Sequence, residues 1–146
     1  MLAPIGPDQC HALAVRRNAR YLTRLYDGHL SSAGLSVSQF SLLSLIEYHG
    51  QLRIAGLAVL MDMERTTLLR ALKPLLVNGW LDNDIVGGTT ARVLSLSSDG
   101  VAKLVEAAPL WKKAQRAFEG EVGRDRALQL RTELLGIHFE RHSSST

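Results

Sequence analysis

One cysteine, Cys10, in 146 residues leaves no partner for an internal disulfide and no thiol pair for a structural zinc site. A reducing compartment is the matching expectation. No apolar run approaches the roughly 20 residues that a membrane-spanning helix needs. The first twenty residues also lack an unbroken apolar stretch ahead of a small-residue cleavage site, and Arg16 and Arg17 stand on the wrong side for a secretory leader. The sequence therefore predicts a cytoplasmic protein with no membrane partner. Aromatic residues are scarce, at 5%, while Leu, Ala and Val dominate, which suits helix-on-helix packing better than stacked sheets. There is no phosphate-binding glycine loop and no nucleophile elbow, so the chain does not read as an enzyme and calls for no cofactor or metal.

Apolar residues make up 46% of the chain, enough for one packed domain. The net charge of +3 is small, and its placement matters more than its size. From Arg65 to Lys73 there are three cations, Arg65, Arg70 and Lys73, and no acid. Elsewhere both signs are mixed. A short segment of one sign is what a phosphate-contacting surface requires.

Residues 1–7 read as a loose arm, and Asp8 is placed to cap a long helix over residues 9–31, in which Leu13, Ala14, Tyr21, Leu22, Leu25 and Leu30 recur at helical steps. Ser38 is expected to cap a second helix that Gly50 ends, followed by a small strand near Leu52 and a compact helix from Ala55 to Met61. The next helix spans residues 65–78, with Pro74 bending its last turn. Residues 81–86 and 92–97 form a hairpin turned by Gly87, Gly88, Thr89 and Thr90. Ser98 or Asp99 caps a further helix that Pro109 kinks or breaks, and a last helix covers residues 121–141. The predicted fold class is mainly α with a small β-hairpin wing, a winged helix-turn-helix flanked by N- and C-terminal helices. Its parts are residues 1–48 for dimerisation and support, 49–97 for the winged DNA-binding unit, and 98–146 for C-terminal dimerisation.

The segment from Leu57 to Leu72 carries the functional signal. Ala58 is small where two helices must cross, and Leu57, Met61, Met63, Leu68 and Leu72 supply the apolar contacts between them. The second helix opens with Arg65, Thr66 and Thr67, able to meet base edges and phosphates in a major groove, and Arg70 and Lys73 follow. Two packed core helices would satisfy part of this pattern. The hairpin immediately downstream favours a wing instead.

Residues 9–119 resemble the MarR family of ligand-responsive repressors. The matching stretches are Leu25-Tyr26-Asp27, the run from Gly34 to Leu43, the helix-turn-helix, Leu72-Lys73-Pro74-Leu75 followed by Gly79-Trp80-Leu81, and the run from Arg92 to Ser97 ending at Gly100. The resemblance implies a homodimer built by the first and last two helices, sitting on a pseudo-palindromic operator in double-stranded DNA. It assigns DNA contacts to Arg65, Thr66, Thr67 and Arg70, with Arg92 as the wing arginine. The short neutral wing tip departs from the family pattern. Arg92 also shares strand parity with Leu94 and Leu96, which leaves a core-facing orientation open.

Further candidates have two readings each. Cys10 sits where one branch of the family senses peroxide, so a thiol-based redox switch competes with an ordinary helix cysteine, the favoured reading. His11, Arg16, Arg17 and Tyr26 lie where relatives hold small aromatic acids, and are either a ligand site or one wet helix face. His138 and His142 would share a helix face, but Phe139 stands where a zinc-protease motif needs Glu, and solvated histidines are favoured. Trp80 and Trp111 read as packing residues. The readings of the whole are a repressor released by a small aromatic or acidic ligand, a redox regulator through Cys10, or a winged helix used for protein contact without DNA.

Overall fold

The computed structural model describes residues 3–85 and 92–139. Helix α1, His11–Leu30, leads through a 3₁₀ turn, Ser31–Ala33, to α2, Val37–His49. Strand β1, Leu52–Arg53, precedes α3, Ile54–Met61, and α4, Arg65–Val77. Strands β2, Leu81–Ile85, and β3, Arg92–Leu96, follow, and α5, Ser98–Val122, and α6, Arg124–Leu135, close the chain. The fold is mostly helical with one small antiparallel sheet, as the sequence predicts.

The sheet has the order β1-β3-β2, so the hairpin gains a third strand. Leu52 pairs with Leu94 and Arg53 with Val93, while Leu81 opposite Leu96 anchors the base of the wing. Leu94 is fully buried and Arg92, at the outer end of the same strand, is exposed. Parity alone would turn Arg92 inward with Leu94, but the structure leaves it exposed. The turn residues Gly87, Gly88, Thr89 and Thr90 lie outside the described residues.

Around this sheet, Leu30, Leu42, Leu43, Ile46, Leu57, Leu68, Leu72, Leu75 and Leu94 form the core. Ala58 is buried in it, and its small side chain lets α3 and α4 cross closely. The turn between them passes through Asp62 at φ 49°, a left-handed conformation, with the Asp62 and Met63 N–H groups closing back on Val59 and Ala58. Phe40 stacks on Trp111 with centroids 5.9 Å apart, which ties α2 to α5. Trp111 and Trp80 both pack against the core.

Several helix ends differ from expectation, each for a local reason. Asp8 does not cap α1, because residues 6–9 close a turn of their own through Gln9 N–H to the Gly6 carbonyl, 3.1 Å. Cys10 is the N-cap, its Sγ accepting from the Leu13 N–H at 3.4 Å. Ser36, not Ser38, caps α2 in a reciprocal capping box with Gln39, at 3.2 and 3.0 Å. Ser97, not Ser98 or Asp99, caps α5 by accepting from the Gly100 N–H at 3.1 Å. Helix α5 continues through Pro109 to Val122. Pro109 and Val105, whose carbonyl it leaves without an intrahelical donor, both lie on exposed faces where water can satisfy the carbonyl. Gly123, at φ 92°, separates α5 from α6, so the last helix begins at Arg124 rather than at Glu121, and it stops at Leu135. His138 therefore lies beyond the helix, and His142 lies outside the described residues.

Candidate nucleic-acid interface

Helix α4 buries Leu68, Leu72 and Leu75 along one stripe and turns its opposite side to solvent. Arg65, Thr66, Thr67, Arg70 and Lys73 are all exposed, and none makes a side-chain hydrogen bond or ion pair among the described residues. Three cations with no competing carboxylate on the helix make that face positive, and its hydroxyls stand in the first turn. Such a surface can neutralise phosphates and offer donors and acceptors to base edges. Glu64 forms the N-cap without a side-chain hydrogen bond. Pro74 lies on the exposed side, and the helix carries on past it to Val77.

The base of the wing is held against α5 by close backbone approach. The Ser97 N–H donates to the Trp80 carbonyl at 3.1 Å, and the Ser97 hydroxyl donates to the Gly79 carbonyl at 2.5 Å. Gly100 fits because a Cβ there would lie 2.0 Å from the Trp80 oxygen. Nearby, Lys103 Nζ donates to the Ala33 carbonyl at 2.9 Å and to Glu106 Oε2 at 3.0 Å, and sits 5.5 Å from the Trp80 ring centroid. Asp27 Oδ1 accepts from the Val37 N–H at 2.7 Å, fastening α1 to the start of α2. The resemblance to known sequences singled out Asp27 and Gly100 without a role; packing supplies one. Lys103 carried no signal, since its partner Ala33 is 70 positions away.

Behind this surface, a cavity of about 350 Å³ lies among α1, α5 and α6, lined mostly by apolar side chains including Leu22, Phe118, Leu130 and Leu134. Its polar groups are Thr23, Tyr26, Gln115, Glu119 and Arg131. The Tyr26 hydroxyl donates to Gln115 Oε1. Burial pushes the Tyr26 phenol above its ordinary value of 10.0, the Glu119 carboxylate adds to the rise, and Arg131 opposes it. A second groove, of about 700 Å³, runs beside it along α1 and α6 between Val15, Phe118 and Leu134. Of the four ligand candidates, Tyr26 alone lines the cavity. His11, Arg16 and Arg17 are exposed on α1 and line neither space. Gln115, Glu119 and Arg131 join Tyr26 only through the tertiary fold. Cys10 is half-buried and occupied as the α1 N-cap. No group of three or more metal-ligating side chains is found among the described residues, and no helix there is long and apolar enough to cross a membrane.

Residues 35–83 match the family model described as MarR family. Among solved structures, the chain is similar to the M. tuberculosis transcriptional regulator MosR, at 32% identity over 90% of this chain and 96% of that one, with a TM-score of 0.75. The same regulator in complex with DNA matches at 32% identity over 88% of this chain and 99% of that one, with a TM-score of 0.71. Bordetella bronchiseptica BpsR, whose DNA binding is regulated by 6-hydroxynicotinic acid, shares the fold at 14% identity, covering 92% of this chain and 100% of its own, with a TM-score of 0.79. A search of curated proteins finds no match.

Proposed function

The chain belongs to the MarR family of DNA-binding transcriptional regulators, and from that premise we propose that it works in the cytoplasm as a homodimeric repressor. Two copies of α4 enter successive major grooves of a pseudo-palindromic operator, and a small aromatic or acidic ligand releases them. The observation that carries this reading is the exposed, acid-free face of α4, with Arg65, Thr66, Thr67, Arg70 and Lys73 all unpaired among the described residues. Arg70 and Lys73 supply phosphate contacts and affinity, whereas the first turn supplies base contacts and specificity. Arg92, exposed at the outer end of β3, reaches the neighbouring minor groove. MosR, which shares 32% identity with this chain, is solved in complex with DNA, and this supports DNA as the partner.

Dimerisation is supported by what α6 and the segment after it leave uncovered. Leu128, Leu130, Leu134, Leu135, Ile137 and Phe139 are all exposed, an apolar density that a monomer does not keep in water. A second copy crossing α1, α5 and α6 covers them and fixes the separation between recognition helices. Ligand release rests on the cavity, whose apolar walls suit an aromatic ring and where Arg131, which shares the space with Glu119, is the cation available to a carboxylate. Occupation there pushes α5 and α6 relative to α1 and shifts the spacing of the two α4 helices.

A mobility-shift titration on duplexes selected from random DNA tests the reading. Arg70→Ala should weaken binding and lower the slope of log affinity against log salt by about 1. Unchanged affinity and slope would remove Arg70 from the interface. Failure of the wild type to retain any duplex at low salt would point instead to a winged helix that contacts protein.

A further inference from the structure

An exposed flank of α4 carries a large apolar side chain among polar groups. Leu69 is 43% exposed, although Leu68, Leu72 and Leu75, at 0, 1 and 0%, already complete the inward stripe of the helix. One position is about 100° of helix rotation from Leu68, while Leu72 lies about 60° away on the same side, so Leu69 stands at the edge of the inward stripe with its outer part in solvent. It follows Arg65 by four positions and Thr66 by three, and precedes Lys73 by four. Those three side chains are its neighbours on the helix surface. A leucine at this place lies within the polar surface assigned to DNA, and phosphate attraction gives it nothing to do.

The geometry points to Leu69 as a base-reading residue that packs against the C5-methyl group of a thymine in the major groove. The inference rests on the DNA-binding reading above and deepens it by naming a base. Among groove-exposed groups on the four bases, the thymine methyl is the apolar one, and hydrogen-bonding side chains cannot recognise it directly. An apolar side chain does so by removing both surfaces from water. Lys73, one turn farther along the helix, anchors to phosphate and sets how deeply Leu69 sits, while Arg65, one turn before it, meets the neighbouring bases. Val77 and Leu76 are also exposed, but they lie beyond Pro74, roughly 10 to 12 Å farther along the axis, where a recognition helix docked by its N-terminal half leaves the groove. The operator should therefore carry a thymine at one fixed position in each half-site.

The experiment is a uracil scan. A duplex recovered by selection from random DNA is resynthesised with each thymine replaced in turn by uracil, which removes the methyl and keeps every hydrogen-bonding group. Affinities are measured for the wild type, Leu69→Ala and Thr66→Ser. At one thymine per half-site the wild type should lose about three- to tenfold in affinity, the scale of burying one methyl group. Leu69→Ala should bind the thymine duplex more weakly by a similar factor and be indifferent to uracil there, whereas Thr66→Ser should keep the penalty. A flat scan with tight wild-type binding overturns the inference, as does a penalty that persists in Leu69→Ala; both leave the DNA-binding reading in place. A wild type that binds no duplex removes that reading and the inference together.

Discussion

In the winged unit and the helix that supports it, Leu42, Leu43, Ile46, Leu57, Leu68, Leu72, Leu75 and Leu94 are essentially removed from solvent. In α6 and the residues after it, Ala127 is the buried side chain, while Leu135 is 72% and Phe139 79% exposed. Helix α1 resembles α6 in this respect, with Leu30 at its very end as its buried residue. The two regions use the same residue types in opposite ways. One closes a core within the chain, and the other leaves large apolar side chains exposed among the described residues.

The sharpest way to break the comparison is within the closed core. Leu43→Ala should cost about 2–5 kcal/mol in urea unfolding, because a fully buried leucine leaves both lost transfer energy and a cavity. A loss below about 1 kcal/mol would show that the winged unit is not independently packed. On the open side, the double variant Leu134→Asp, Leu135→Asp should leave the winged unit folded yet weaken dimerisation by about 100-fold or more, near 2.7 kcal/mol. Sedimentation that still reports a dimer at micromolar protein would place the interface elsewhere.

At the joint between the regions, Gly100→Ala puts a methyl against the Trp80 carbonyl and should cost about 1–3 kcal/mol, with α5 displaced from the base of the wing. A variant as stable as the wild type would mean that the joint yields freely. The smallest effect is expected at Tyr26→Phe, about 1 kcal/mol at neutral pH through loss of the hydrogen bond to Gln115. Its pH dependence has a definite sign. Burial and Glu119 raise the folded phenol above 10.0, so the stability conferred by the neutral hydroxyl is complete below that pH and is lost as pH rises through the raised value. The wild type should thus lose more stability than Tyr26→Phe under alkaline conditions. Parallel pH profiles of the two proteins would contradict this.

Much of this arrangement was legible in the residues. The small Ala58 at the crossing, the start of α4 at Arg65, and the two strands on either side of Gly87 to Thr90 all follow from short-range pattern, while the register of Leu81 opposite Leu96 comes from the structure. The capping box was legible as well, since Ser36 and Gln39 stand three apart, but Ser38 offered a competing hydroxyl and only the hydrogen bonds decide between them. The sequence overextends α6, because Leu134, Leu135 and Phe139 keep an apolar rhythm past Gly136, where the helix has already closed. Strand parity leaves Arg92 ambiguous, and the structure places it in solvent.

The order of helices and strands, and the acid-free run from Arg65 to Lys73, were determined by the sequence alone, because periodicity and charge runs are properties of near neighbours. The pairing of β1 with β3, the meeting of Tyr26 with Gln115 across 89 positions, and the anchoring of Lys103 on Ala33 were decided by tertiary structure. So was the exposure of Leu69 beside the burial of Leu68. Two adjacent leucines are chemically identical in a sequence, and only packing against the rest of the chain determines which one is taken from water and which is left to meet a partner.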